Sequence, residues 1–192
     1  MRSAILALVP VMLSATTLSA QGVFSNKTQT VLEEVIRDYP NHFSDIKGEL
    51  IGQASQTSCY KSTLELPGAS STTITLVAAS GTQGSGWTCN VLRTADFDQA
   101  KARFSEIYNQ LSNSIISAAG QRTFILSGQY ETPTPDKKEN EVVLTLLPGV
   151  GDMKRLRVEL TLREDAQDYI VTISVNDGDL RDQQAQLAVN GR

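Results

Sequence analysis

The apolar residues change their spacing along the chain, and each change marks a helix or a run of strands. Val31, Leu32, Val35, Ile36 and Tyr39 recur at helical spacing, which predicts a helix over 27–39. Ser25, or Thr30 with Glu33 three residues on, would cap it. Pro40 would stop it, because the residue before a proline is driven out of the α region. A second stripe of Phe97, Ala100, Phe104, Ile107, Tyr108, Leu111 and Ile115 predicts a helix capped by Asp96, with Gln99 three residues on, and ended by Gly120. Elsewhere the period is two. Tyr60, Ser62, Leu64 and Leu66 alternate with polar residues, residues 72–79 are rich in β-branched side chains, and 87–92 forms a third strand. Four more strands are predicted over 123–131, 141–147, 156–163 and 169–175. Residues 41–48 read as a turn-rich connection anchored by Phe43 and Ile46.

Strict alternation implies a sheet with one buried and one polar face. Short connections favour antiparallel neighbours, and two striped helices can cover one sheet face. The expected fold is therefore α+β, a two-layer sandwich with two helices on one face of an antiparallel sheet, in the order helix, three strands, helix, four strands. The last stretch, 179–192, is polar and Gln-rich and reads as a tail.

The N-terminus changes the setting. Arg2 precedes an apolar run from Ala4 to Leu13, followed by a small polar stretch ending at Ala20. These are the parts of a secretory signal, and the run is about half the ~20 residues needed to cross a bilayer. The expectation is a signal peptide over 1–20, a single domain over 21–178, and a periplasmic or secreted address with no permanent membrane span. The whole chain has 17 basic and 21 acidic residues, a formal charge of −4, and loss of Arg2 makes the remainder more acidic. That balance lacks the basic face that nucleic-acid binding needs.

Export also gives the two cysteines a meaning. Cys59 and Cys89 are expected to form a disulfide in an oxidising compartment. The strand pattern resists it. In a plain meander the two flank the middle strand, about 9.6 Å apart, and a bridge needs Cα atoms 4.4–6.8 Å apart. Their parities differ as well. The bridge would require a bulge at Cys59 or a different strand order, and that is the expectation adopted.

No chemical motif emerges. His42 is the one histidine, too few for a zinc site with two distant cysteines. It could serve as the base of a Ser-His-Asp set, but Gly84-Ser85-Gly86 lacks the nucleophile-elbow frame. The glycine loops at 81–86 and 148–152 lack the order of nucleotide-binding fingerprints. Asn176-Asp177-Gly178-Asp179 fails the calcium-loop register, because Ile173 and Val175 fall on ligand positions. Glu33, Glu34, Glu159, Glu164, Asp165 and Asp168 are scattered acids whose default is solvation. No catalytic residue, cofactor or metal ligand is therefore assigned. The candidate interaction face is the polar side of the 156–163 strand, with Arg155, Arg157, Glu159 and Arg163.

Three segments carry a resemblance: Ile36-Arg37-Asp38-Tyr39-Pro40-Asn41-His42-Phe43-Ser44-Asp45-Ile46-Lys47-Gly48-Glu49, Tyr60 to Ala69, and Leu126 to Pro133. Together they resemble a family of small exported bacterial proteins of unknown function, which implies an exported address and brings no known activity with it. The expected function is a non-enzymatic module that binds a protein or another component of the cell envelope. The alternatives are a hydrolase with a carboxylate site, and a carrier of small apolar ligands with a cavity at Phe104 and Tyr108.

Overall fold

The computed structural model describes residues 27–79, 82–112, 114–118 and 122–178. The expected signal peptide, the helix-ending Gly120 and the tail from residue 179 lie outside them. The chain forms α1 (Lys27–Asp38), β1 (Lys47–Ala54), β2 (Thr57–Ser62), β3 (Ser71–Ala79), β4 (Thr82–Thr94), α2 (Phe97–Leu111), β5 (Ile115–Ala118), β6 (Arg122–Gly128), β7 (Glu139–Leu147), β8 (Leu156–Asp165) and β9 (Asp168–Asp177). The fold is α+β, with two helices and a nine-stranded sheet of order β1-β2-β3-β4-β9-β8-β7-β6-β5. Every pairing is antiparallel. It consists of two meanders, joined where β4 pairs with β9, and α2 carries the chain from one meander to the other.

Two strands correct the expected order. β1 starts at Lys47, at the end of the turn-rich connection, and runs on through residues to which the apolar pattern assigns no element. It is an edge strand exposed at nearly every position, so it has no apolar alternation to reveal it. β5 takes the place of the predicted end of the second helix. Ile115 matches the helical stripe by spacing alone, whereas α2 stops at Leu111 and Ile115 is 59% exposed on a strand. The strand expected at 60–66 ends earlier, at Ser62.

The remaining predictions follow the chemistry that motivated them. The Asp96 carboxylate accepts hydrogen bonds from the amides of Asp98 (2.8 Å) and Gln99 (3.2 Å), which caps α2. Leu156, Val158, Leu160 and Leu162 on β8 share one buried cluster with Val171, Ile173 and Val175 on β9, and with Trp87 and Cys89 on β4. Phe104, Ile107 and Leu111 of α2 and Leu32, Val35 and Ile36 of α1 belong to that same cluster. A side chain as large as Trp87 or Phe104, fully buried, contributes about 1.5–3 kcal/mol. The Trp87 indole donates to Ser62 Oγ (3.1 Å), so its one polar atom is also satisfied.

The corner after α1 explains why its residue types matter. Asp38 is buried, and its carboxylate accepts bonds from the Asn41 amide group (3.2 Å) and from the backbone amides of Asp45 (3.0 Å) and Ile46 (3.3 Å). His42 and Phe43 both take positive φ (54° and 58°), and this reverses the chain and drives the Phe43 ring into the core. Gly48 follows where any Cβ would come within 2.9 Å of the Lys61 carbonyl oxygen. Most of this segment is therefore structural.

The expected Cys59–Cys89 bridge is not formed, and both thiols are free. Cys59 on β2 pairs with Thr75 of β3, and Cys89 on β4 pairs with Thr72 of β3. The middle strand separates them. They also face opposite ways, because Cys89 shares the buried parity of Trp87 while Cys59 shares the polar parity of Thr75. The plain meander holds, and it is the meander that forbids the bridge.

Candidate functional site

Pairing partners in an antiparallel sheet share a face, so the register lays out the polar face in rows. One row runs Lys61, Thr73, Thr88, Ser174, Glu159 across β2, β3, β4, β9 and β8. The next runs Thr75, Gly86, Asn176, Arg157, and on the other side lies Ser71, Asn90, Thr172, Thr161. Gly86 has no side chain between Thr75 and Asn176, which lowers the surface there. The result is a trough of about 440 Å³ over β3, β4, β9, β8 and the start of β7, bordered by Glu139 and Arg163.

Part of its lining is fixed by internal hydrogen bonds. The Glu159 carboxylate accepts from Asn176 Nδ2 (3.2 Å) and, at 3.5 Å, from the Ser174 hydroxyl. The Asn176 amide also reaches Ser174 Oγ (3.1 Å). Thr172 donates to Asn90 Oδ1 (2.9 Å), and Asn90 donates to Ser71 Oγ (2.8 Å), so both Asn90 dipoles are oriented. By contrast, among the described residues the hydroxyls of Thr75, Thr88 and Thr161 have no protein partner, and all three line the trough. A hydroxyl is both donor and acceptor.

The four residues expected to form an interaction face do not stay together. Arg157, Glu159 and Arg163 lie on the polar face, where β8 pairs with β9. Arg157 folds back onto the carbonyls of Lys154 (2.8 Å) and Leu156 (2.9 Å). Arg155 precedes β8 and leaves this face, pairing with Asp177 (3.3 Å), which also accepts from the Tyr39 hydroxyl (3.0 Å). Alternation cannot extend to Arg155, because a 3-10 turn at Gly151–Lys154 places it in helical backbone. The trough also includes Thr75, Thr88, Asn90 and Thr172, which sequence reasoning did not single out. Their common parity with Glu159 and Arg163 was readable only once β4 was known to pair with β9.

The other sequence candidates fall elsewhere. His42 Nδ1 lies 3.3 Å from Ser85 Oγ, beside a small hollow of about 160 Å³ lined by Tyr39, Pro40, Asp152, Arg155 and Asp177. Ser85 is 1% exposed, so its oxygen has no path to a substrate carbonyl, and the pair ties the corner after α1 to β4. Burial, reinforced by the Asp177 charge, pushes the Tyr39 hydroxyl well above its ordinary value near 10. Asp165 (3.2 Å) and Asp168 (2.7 Å) hold Arg93 at the β8–β9 hairpin. Phe104 is fully buried, and Tyr108 stacks on Tyr130 (4.7 Å between centroids) while donating to the Gly128 carbonyl (3.0 Å). Phe104 thus fills space in the core, and Tyr108 packs against it partly buried. No cluster of three metal-ligating side chains occurs among the described residues, and no helix in them is long and apolar enough to cross a membrane.

No protein-family model, characterised protein or solved structure matches this chain.

Proposed function

We propose that this protein is a non-enzymatic binding module of the cell envelope, exported by its N-terminal signal, and that its working surface is the polar face of the sheet. The observation that carries this reading is the trough over β4, β9 and β8, where oriented amides and a carboxylate stand beside three threonine hydroxyls without protein partners. Its volume of about 440 Å³ lies within the range of small-molecule sites, roughly 300–1,000 Å³. The layering that goes with it is two helices over one sheet face, leaving the other face for a ligand. The single buried cluster shared by both helices and the alternate residues of β4, β7, β8 and β9 supports that arrangement.

The hydrolase alternative draws less support. Glu139 and Glu159 both line the trough, but Glu139 pairs with Arg163, four residues along β8 from Glu159. That places their backbones roughly 14 Å apart at ~3.4 Å per residue, so the two carboxyl groups come together only if both side chains lean toward one another along the strands. Glycosidase carboxyl groups stand about 5–9.5 Å apart.

The test is recovery of a partner from envelope extract by wild-type protein and by Thr161→Tyr, which fills the trough with a residue suited to strands. The reading predicts a component retained by wild type and lost with the variant at unchanged thermal stability. Equal recovery by both proteins would remove the polar face from consideration.

A further inference from the structure

We infer that the trough takes a neutral carbohydrate segment, and this rests on the reading of the polar face as a binding surface. The first reason is the composition of the lining. It has no aromatic and no large aliphatic side chain, so a ligand gains little there from apolar burial, and its affinity has to come from hydrogen bonds. The second is the kind of hydrogen bonding on offer. Thr75, Thr88 and Thr161 supply hydroxyls that donate and accept, as the hydroxyls of a sugar do. Glu159, oriented by Asn176 and Ser174, is a fixed acceptor among them.

The third reason is charge. Glu139 and Arg163 stand directly across from one another in the register at one end of the trough, so the site carries both signs and no single-sign field. Strongly anionic or cationic ligands are recognised by concentrated opposite charge, and none is concentrated here. The fourth is spacing. Rows on one face repeat every second residue, about 6.8 Å along a strand, and about 4.8 Å across strands. Thr88 and Thr161 lie one row apart on β4 and β8 with β9 between them, and they present a lattice of hydroxyls to an extended ligand rather than a single deep contact.

The experiment is titration of the purified protein, followed by amide chemical shifts, with neutral oligosaccharides (cellotetraose, maltotetraose and chitotetraose), and separately with spermidine and with an acidic decapeptide. The inference predicts saturable shifts centred on β4, β8 and β9 with at least one oligosaccharide. It predicts at least tenfold weaker binding in Thr88→Val/Thr161→Val, whose unfolding midpoint stays near that of wild type. Glu159→Gln, a milder change, should weaken binding about threefold or more. Saturation of the same strands by spermidine or the peptide, with no response to any sugar, overturns the carbohydrate assignment and leaves the binding surface standing. No response to any probe, together with recovery of an envelope protein that Thr161→Tyr abolishes, does the same. No response to any probe and no trough-dependent partner overturns both readings.

Discussion

The Tyr39 hydroxyl donates a 3.0 Å hydrogen bond to Asp177, joining the end of α1 to the last residue of β9 across 138 positions of sequence. Asp177 also holds Arg155 at 3.3 Å, so one carboxylate ties together the corner after α1, the start of β8 and the end of β9. Tyr39→Phe removes one donor to a charged acceptor and is expected to cost about 1.5–3 kcal/mol. The pH dependence follows from the raised Tyr39 hydroxyl. Above about pH 10 the unfolded phenol ionises while the folded one stays protonated. The folded state then binds the extra proton, and stability falls as pH rises. Denaturant unfolding between pH 9 and 11 should show this loss in wild type and a shallower one in Tyr39→Phe.

The two thiols should behave as separate groups. Cys89 is fully buried, receives a 3.4 Å contact from the Thr72 hydroxyl, and is held above the ordinary thiol range chiefly by burial. Cys59 is half-buried on the polar face. Unreduced protein is expected to titrate two thiols in denaturant. In native buffer Cys59 should label first, with Cys89 following only as the protein unfolds.

Asp38 concentrates the stability of the segment that follows α1. Asp38→Ala strands the amides of Asp45 and Ile46 and is expected to cost about 2–3 kcal/mol, whereas Asp38→Asn, which keeps an acceptor, should cost less than about 1. Burial outweighs the hydrogen bonds and raises the Asp38 carboxyl above the usual carboxylate range. Between that range and the raised value the folded state holds a proton that the unfolded chain releases. The stability Asp38 confers is therefore largest at low pH and declines as pH rises through the window. The difference between wild type and Asp38→Asn, measured by urea unfolding from pH 3.5 to 6, should shrink in that direction.

The sheet protects its two edges unequally. On β5 the outward Ile115 carbonyl accepts from Gln29 Nε2 (3.2 Å), and the outward Ser117 amide donates to Glu33 Oε1 (3.2 Å), so α1 blocks that edge. Exposed edges invite pairing between molecules. Ile115, Ile125 and Leu147, exposed and adjacent in the register, make this edge the more adhesive one once bare. Gln29→Ala/Glu33→Ala should raise self-association in sedimentation analysis with a small change in unfolding midpoint.

What the sequence reveals depends on how completely a residue's surroundings are local. β8 is legible because it buries one parity from Leu156 to Leu162, β9 because Val171, Ile173 and Val175 alternate in the same way, and α2 because Asp96 supplies its own cap. β1 is hidden because an exposed edge imposes no alternation, and β5 because Ile115 happens to continue a helical spacing. The candidate site is less legible still. Thr88 and Thr161 become neighbours across β9 only through the pairing of β4 with β9, a contact that no local pattern encodes. The cysteines show the opposite case. The spacing argument against their bridge is correct, and the expectation from compartment gives way to the geometry of β3.

The claim on which the rest depends is that the polar face is where this protein meets its ligand. Benzophenone photo-crosslinking in living cells tests it directly, with the probe placed in turn at Thr161 in the trough, at Glu34, which is exposed on α1, and at Lys101, which is partly exposed on α2. The account predicts a heavier adduct from Thr161 and none from Glu34 or Lys101. Adducts from the helix positions with none from Thr161 would contradict it.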